Sequence, residues 1–306
     1  MLASALTTLS DRLNSKFLIA YWLPAFVGVL GSFGILAGLV GPSRMEAWVF
    51  DLDSVEQTLV VLIVVLAISI LAFVLRAVSR PIIEVFTGIA LPRGLANWST
   101  KGQMRAKLRE SQALGAKAGA LAADSGVEQV DARLNRVYPL HDSATQPTLF
   151  GNVLATAAEY PRLVYTMNGL LWWPRLVPLV PGSFQDLLSG AQAPMMALLN
   201  LCVVFTTLAL GGAPTLALVG GHWAAAIVVL VGGLLLARLC YHAAVSQAAE
   251  LGSVIRVGFD LYRHEILRQM DLEVPQDFET ERALWHRLTA QLLGLPLEDR
   301  PESESS

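Results

Sequence analysis

Charge is the first thing this sequence lacks. Between Asp186 and Arg238 stand 51 consecutive residues, Leu187–Ala237, without an Asp, Glu, Lys or Arg. A bilayer core is crossed by roughly 20 apolar residues in a helix, so the run has room for two crossings and a turn. A soluble fold rarely keeps both faces of two successive helices uncharged over such a length. Only 15% of the 306 residues are charged, against about 25% in a typical soluble domain. Cysteine is nearly absent: Cys202 and Cys240 fall in or beside apolar segments, which argues against a disulfide framework and reads them as small buried residues.

Motifs of catalysis are missing too. No GxxxxGK[ST] loop, no GxGxxG after a strand and no GxSxG elbow occurs. The five histidines, His141, His222, His242, His264 and His286, are scattered. His264-Glu265 is followed by Arg268 where a zinc protease needs its second histidine. No catalytic, cofactor-binding or metal-ligating residue is therefore assigned, and no cofactor is expected. A net charge of −3 points to no nucleic-acid partner. The apolar segments carry no acid or lysine at mid-depth, where ion-coupled transporters and proton pumps usually need one.

What is present is an all-α integral membrane pattern with four predicted transmembrane helices, about 17–40, 59–78, 191–211 and 215–240. The first apolar run, Phe17–Gly41, is too long for a cleavable signal segment and lacks a small-x-small site before Pro42, so it is read as retained. Its glycines, Gly28, Gly31, Gly34, Gly38 and Gly41, recur at steps of three or four and suit close approach of another helix. Tyr21 and Trp22 near its start suit the headgroup level. The second span ends at Arg76 and Arg80, with Pro81 closing it and Arg76 snorkelling to the headgroups. Two places compete for the turn between the third and fourth spans, Gly211–Pro214 and Gly220–His222. Ser183 and Asp186 read as a capping box that starts the third.

The uneven charge sets an orientation. Arg76–Arg175 holds 12 Lys and Arg against 7 Asp and Glu, while the short Gly41–Gln57 link has a local charge of −3. By the positive-inside rule the basic block faces the cytoplasm and both termini lie there, in a multi-pass protein of the plasma (inner) membrane. From Arg238 onward 7 basic residues face 12 acidic ones. The opposite excesses suggest that the insertion and the C-terminal segment pack into one mainly helical cytoplasmic domain.

The expected organisation is an interfacial helix at 1–16, with Leu2, Leu6, Leu9 and Leu13 on one side, and a first transmembrane hairpin at 17–78. A cytoplasmic insertion at 79–190, a second hairpin at 191–240, C-terminal helices at 241–295 and a disordered acidic tail at 296–306 follow. Within the insertion, Pro81–Pro92 is apolar but too short to cross, and Ser99–Ala123 reads as a basic helix, equally a solvated face or one that meets anionic headgroups. Asp124–Val130 reads as a loop, and Leu134–Tyr138 as a short strand or helix. Residues 147–181 read as a helical elbow under the bilayer, capped by Thr148 and kinked or ended at Pro161. In it Glu159 and Arg162 would form a local ion pair, and Trp172, Trp173 and Arg175 would anchor at the interface. Asp277 can cap a last helix, Glu279–Leu293, stopped by Gly294.

The stretches TLFGNVLATAAEYPRLVY, WWPRL and FDLYRHEILRQM resemble bacterial membrane proteins to which no family name or activity attaches, so no functional residue is carried over. Three classes of function remain. The first is a membrane anchor, scaffold or signalling effector whose cytoplasmic domain meets a protein partner. The second is a homo-oligomeric channel, with Asn200, Thr206 and Thr207 of the third span lining a pore, although the same residues are read in preference as hydrogen-bonding between helices. The third is a lipid-acting membrane enzyme built on Glu159, Arg162 and His141. The first is preferred; in every case the bilayer is a partner.

Overall fold

The computed structural model describes residues 15–41, 44–45, 47, 52–120 and 137–294, with the backbone alone for 114–120. The described residues are helical, with no strand among them. The helices are α1 Ser15–Val40, α2 Ser54–Ala77, α3 Ser79–Thr87, α4 Arg93–Ala120, α5 Leu149–Tyr165, α6 Gly169–Leu176, α7 Gly182–Leu218, α8 Trp223–Gln269 and α9 Phe278–Leu293. Four of them, α1, α2, α7 and α8, are long and apolar enough to cross a membrane. The chain divides into two compact units, residues 1–96 with 189–248, and 97–188 with 249–306. Of the expected interfacial helix at 1–16, only Ser15 and Lys16 are described, and they open α1; the loop at 124–130, most of 134–138 and the tail lie outside the described residues.

In the first unit α7 is the central helix: 50% of its most apolar window is buried, against 17%, 17% and 11% for α1, α2 and α8. Ala25 of α1 packs against Ile68, Ala72 and Leu75 of α2, with Phe17 and Tyr21 alongside. Ala213, Leu216 and Ala217 of α7 meet Ala226 of α8 and Ile35 of α1. Three of the five glycines of α1 serve this packing. A Cβ on Gly31 would stand 2.5 Å from Leu208, one on Gly38 3.0 Å from Leu216, and one on Gly28 3.4 Å from Leu71 and Val204. Gly34 meets nothing within 4 Å, and Gly41, at φ +95°, ends the helix. The helix that the glycines admit is thus α7 of the same chain.

Several predicted boundaries are corrected. Asp53 forms a capping box with Glu56, so α2 begins at Ser54 rather than at 59. It ends at Ala77, ahead of Pro81, which instead sits in the first turn of α3, where its missing N–H costs nothing. Ser183 lies inside the first turn of α7, not at its cap. The turn after α7 falls at 219–222, where Gly221 takes φ +66°, and α8 starts at Trp223 rather than 215. Pro214 fails to end α7 because the turn before it, Leu208–Gly212, widens to π geometry, which relieves the clash of the proline ring with the carbonyl four residues back.

The same device recurs in α1, where the π segment Leu18–Trp22 precedes Pro24. Pro24 has no N–H for the carbonyl of Ala20, and the fully buried Asn200 of α7 donates its Nδ2 to that carbonyl at 2.8 Å. Lys16 of α1 donates to the Ser189 hydroxyl of α7 at 2.5 Å, whereas Ser32, Ser69, Thr206 and Thr207 turn back on their own backbone, to the carbonyls of Gly28, Val65, Cys202 and Val203.

If the freed carbonyl is what Asn200 serves, Asn200→Ala lowers the stability of the detergent-solubilised chain by about 1 kcal/mol. Pro24→Ala restores an N–H, and in that background Asn200→Ala costs measurably less. Unfolding titrations of the four chains in sodium dodecyl sulfate give the cycle, and equal costs in both backgrounds would disprove the link.

Candidate functional site

Among the described residues, two clusters of bonded charge in the second unit involve α5. The helix is started by Thr148, whose hydroxyl accepts from Gly151 N at 2.9 Å. It passes Pro161 and stops at Thr166 in the left-handed region, φ 61°, while Met167 N donates to the Pro161 carbonyl. Asn168 then caps α6, presenting its side chain to Leu171 N.

Aromatic packing fixes these helices. Trp172 is fully buried, meets Trp285 of α9 edge to face with ring centroids 5.1 Å apart, and donates Nε1 to Thr289 Oγ1 at 2.9 Å. Trp173 lies on Phe259 of α8. The expected interfacial role of Trp172 is therefore corrected, because the ring is consumed inside the unit's core. Arg175, exposed, lies with its guanidinium 5.8 Å from the Trp172 ring centroid and bonds the Leu171 carbonyl. In the first unit Tyr21 packs beside Phe17, Trp22 stacks on Phe26, and the Arg76 guanidinium stands over Phe17 at 5.7 Å.

The first cluster joins α5, α8 and α9. Asp260 accepts hydrogen bonds from Tyr160 at 2.8 Å and Tyr165 at 2.7 Å. One turn on, Arg263 forks onto Glu281 at 2.7 and 3.3 Å, and its guanidinium lies 4.1 Å from the Tyr165 ring centroid. Glu281 also accepts from Trp285 Nε1 at 3.1 Å and contacts His264 Nε2 at 3.0 Å. Burial pushes the Glu281 carboxyl up, but the hydrogen bonds from Arg263 and Trp285 outweigh it and hold the group below its ordinary 4.5. Burial, then the bond to Asp260, pushes the Tyr165 phenol well above its ordinary 10.0.

The second cluster holds the segment 138–147. Glu159, with its side chain only 7% exposed, accepts from Leu140 N at 2.8 Å, from His141 N at 3.3 Å, and meets His141 Nδ1 at 2.5 Å. Asn152, two turns earlier on the same face, accepts from Gln146 N at 2.7 Å. From α4, Lys107 donates to the Pro139 carbonyl at 2.8 Å and to Asp142 at 3.0 Å. The expected Glu159–Arg162 pair is not formed. Glu159 is drawn inward by the two backbone N–H groups, and Arg162 stays exposed. Of the three residues proposed for catalysis, His141 and Glu159 meet and Arg162 does not.

The Glu159–His141 pair could orient an imidazole for proton transfer, but among the described residues no hydroxyl or thiol is bonded to His141. No group of three or more His, Cys, Asp and Glu able to hold a metal occurs among the described residues. The Asp260–Arg263–Glu281 network escaped sequence reading. Its one local signal was the Asp260, Arg263 spacing of one helical turn.

Linkage gives the unit a pH window. A depressed Glu281 contributes stability that is present above about 4.5 and lost as pH falls below it; a raised Tyr165 contributes stability that is lost as pH rises above about 10. Glu281→Gln is expected to flatten the acid limb and to lower the plateau by about 2 kcal/mol, since Arg263 loses its carboxylate. Tyr165→Phe shrinks the alkaline limb. Tryptophan-monitored unfolding across pH tests both, and an unchanged acid limb in the first variant would sink the assignment.

No family model, no curated protein and no solved structure matches this chain, so a functional reading rests on its own geometry.

Proposed function

We propose that the chain is a multi-pass inner-membrane protein that acts without catalysis, as an anchor and scaffold or signalling effector. In this reading α1, α2, α7 and the first part of α8 cross the bilayer, and the second unit lies on the cytoplasmic side, where it meets a protein partner. The observation that carries the reading is the contrast between the two units. The long helices expose apolar side chains such as Leu62, Phe73, Val228 and Leu239, each more than 60% accessible, while the buried acids of the second unit, Glu159 and Glu281, are bonded within it. Such charge pairing stiffens a domain and leaves its outer surface for recognition.

Orientation follows from the basic Arg76–Arg175 block and the acidic Gly41–Gln57 link. A channel is less well supported: Asn200 is fully buried with its Nδ2 on the Ala20 carbonyl, and Thr206 and Thr207 donate to their own helix. The Glu159–His141 pair is the one feature that favours an enzyme, and its contacts with the backbone of 140 and 141 also serve as a clamp on that segment.

Three outcomes test the proposal. The chain stays with the membrane pellet through carbonate washing, and a cytoplasmic reporter fused behind Ser306 is active; a reporter active only outside the cytoplasm would overturn the topology. Liposomes carrying the purified chain show no ion flux above protein-free liposomes, and Thr206→Val changes nothing; a conductance altered by that substitution would establish the channel instead. Glu159→Gln leaves cellular lipid composition unchanged, whereas a selective change in one lipid pool would favour the enzyme.

A further inference from the structure

Helix α4 has two faces with different fates. Ser99, Gln103 and Lys107, at steps of four, point into the second unit: Ser99 bonds the Pro147 carbonyl, Gln103 the Asn152 amide, and Lys107 the 139–142 segment. Turned away from them, within an arc of roughly 120° at 3.6 residues per turn, lie Trp98, Lys101, Arg105, Leu108 and Arg109. All five are exposed, Trp98 at 76% and Leu108 at 60%. Among the described residues no hydrogen bond, ion pair or ring contact engages them, and no acid interrupts the arc.

We infer that this face of α4 lies on the anionic lipid headgroups of the cytoplasmic leaflet. The inference rests on the membrane reading above and adds a second, peripheral contact to the crossing helices. Three cations in one arc complement a negatively charged surface, and their long stems let the charges reach headgroups while the helix rests above them. Trp98 supplies an amphipathic ring of the kind that settles at the headgroup level, and Leu108 a shallow apolar insert. Two separated apolar side chains are too little for the core of a protein interface, which buries a contiguous apolar centre.

The test uses the full chain, with Cys202→Ala and Cys240→Ala, and a bimane label on Gly102→Cys. Gly102 lies on the same arc, and a side chain there meets nothing within 4 Å. The chain is placed in nanodiscs of phosphatidylcholine alone, or with about one third phosphatidylglycerol. The expected result is a blue-shifted emission, quenched by brominated lipid, in the anionic discs only, and reversed by raising salt from about 0.1 to about 1 M. Each cation contributes about fivefold, so Lys101→Gln, Arg105→Gln and Arg109→Gln together weaken the partition on the order of a hundredfold. All three are exposed and uninvolved in the unit's bonding, and near-ultraviolet circular dichroism checks that its packing survives. Emission that is the same in both lipids, or a shift that the triple variant keeps, overturns the inference. A shift that needs a second copy or an added protein rather than lipid does the same. Failure of the chain to enter any disc would instead refute the membrane reading itself.

Discussion

A carbonyl freed by a proline inside a helix has to find another donor, most urgently where water is scarce, because an unpaired polar group in an apolar setting costs several kcal/mol. Prolines stand inside several helices of this chain, in differing surroundings. Beyond Leu208–Gly212 the helix widens by one residue and passes Pro214. At Pro24 a similar π turn is joined by a donor from another helix, Asn200, which thereby fixes α7 against α1. In α5, Pro161 is followed within one turn by the helix end, which Met167 N closes by donating to the Pro161 carbonyl. The prolines therefore decide where helices bend, where they touch and where one of them stops.

The remaining polar groups divide by setting. Hydroxyls on the long apolar helices return to carbonyls of the preceding turn, which leaves their helices uniformly apolar outside. In the second unit the acids are instead paired at a distance. Asp260 takes two phenols, Glu281 takes a guanidinium, an indole and an imidazole, and Glu159 takes two backbone N–H groups with His141. Networks of this kind stand or fall together, since removing one partner strands the others in a poorly solvated place. Acids held by several donors suit a rigid platform better than a reacting centre, and this is the ground on which a scaffold is preferred to an enzyme.

The α4 helix shows how one element serves two surroundings. Its polar residues at steps of four are absorbed by the segment 138–147 and by Asn152, while its basic residues on the other side stay exposed. Glycine has a comparable division in α1. Gly31 and Gly38 lie where Leu208 and Leu216 approach, whereas Gly34, at the edge of that arc, meets nothing, so a GxxxG spacing located the packing face only in part.

The sequence by itself determined what depends on neighbours along the chain. The four long apolar helices followed from uncharged runs of sufficient length, and the caps at Thr148 and Asp277 from short polar side chains just ahead of helical patterns. The glycine-faced first helix was legible for the same reason. Tertiary structure decided what depends on which distant residues meet. It placed the turn at 219–222, because a π segment let α7 continue through Pro214. It buried Trp172 against Trp285, since a large ring gains more from a closed aromatic core than from an interface. It gave Glu159 to His141 rather than Arg162, and Arg263 to Glu281 across 18 positions, because a buried carboxylate takes whichever donors the packed helices bring to it, and no periodicity encodes that choice.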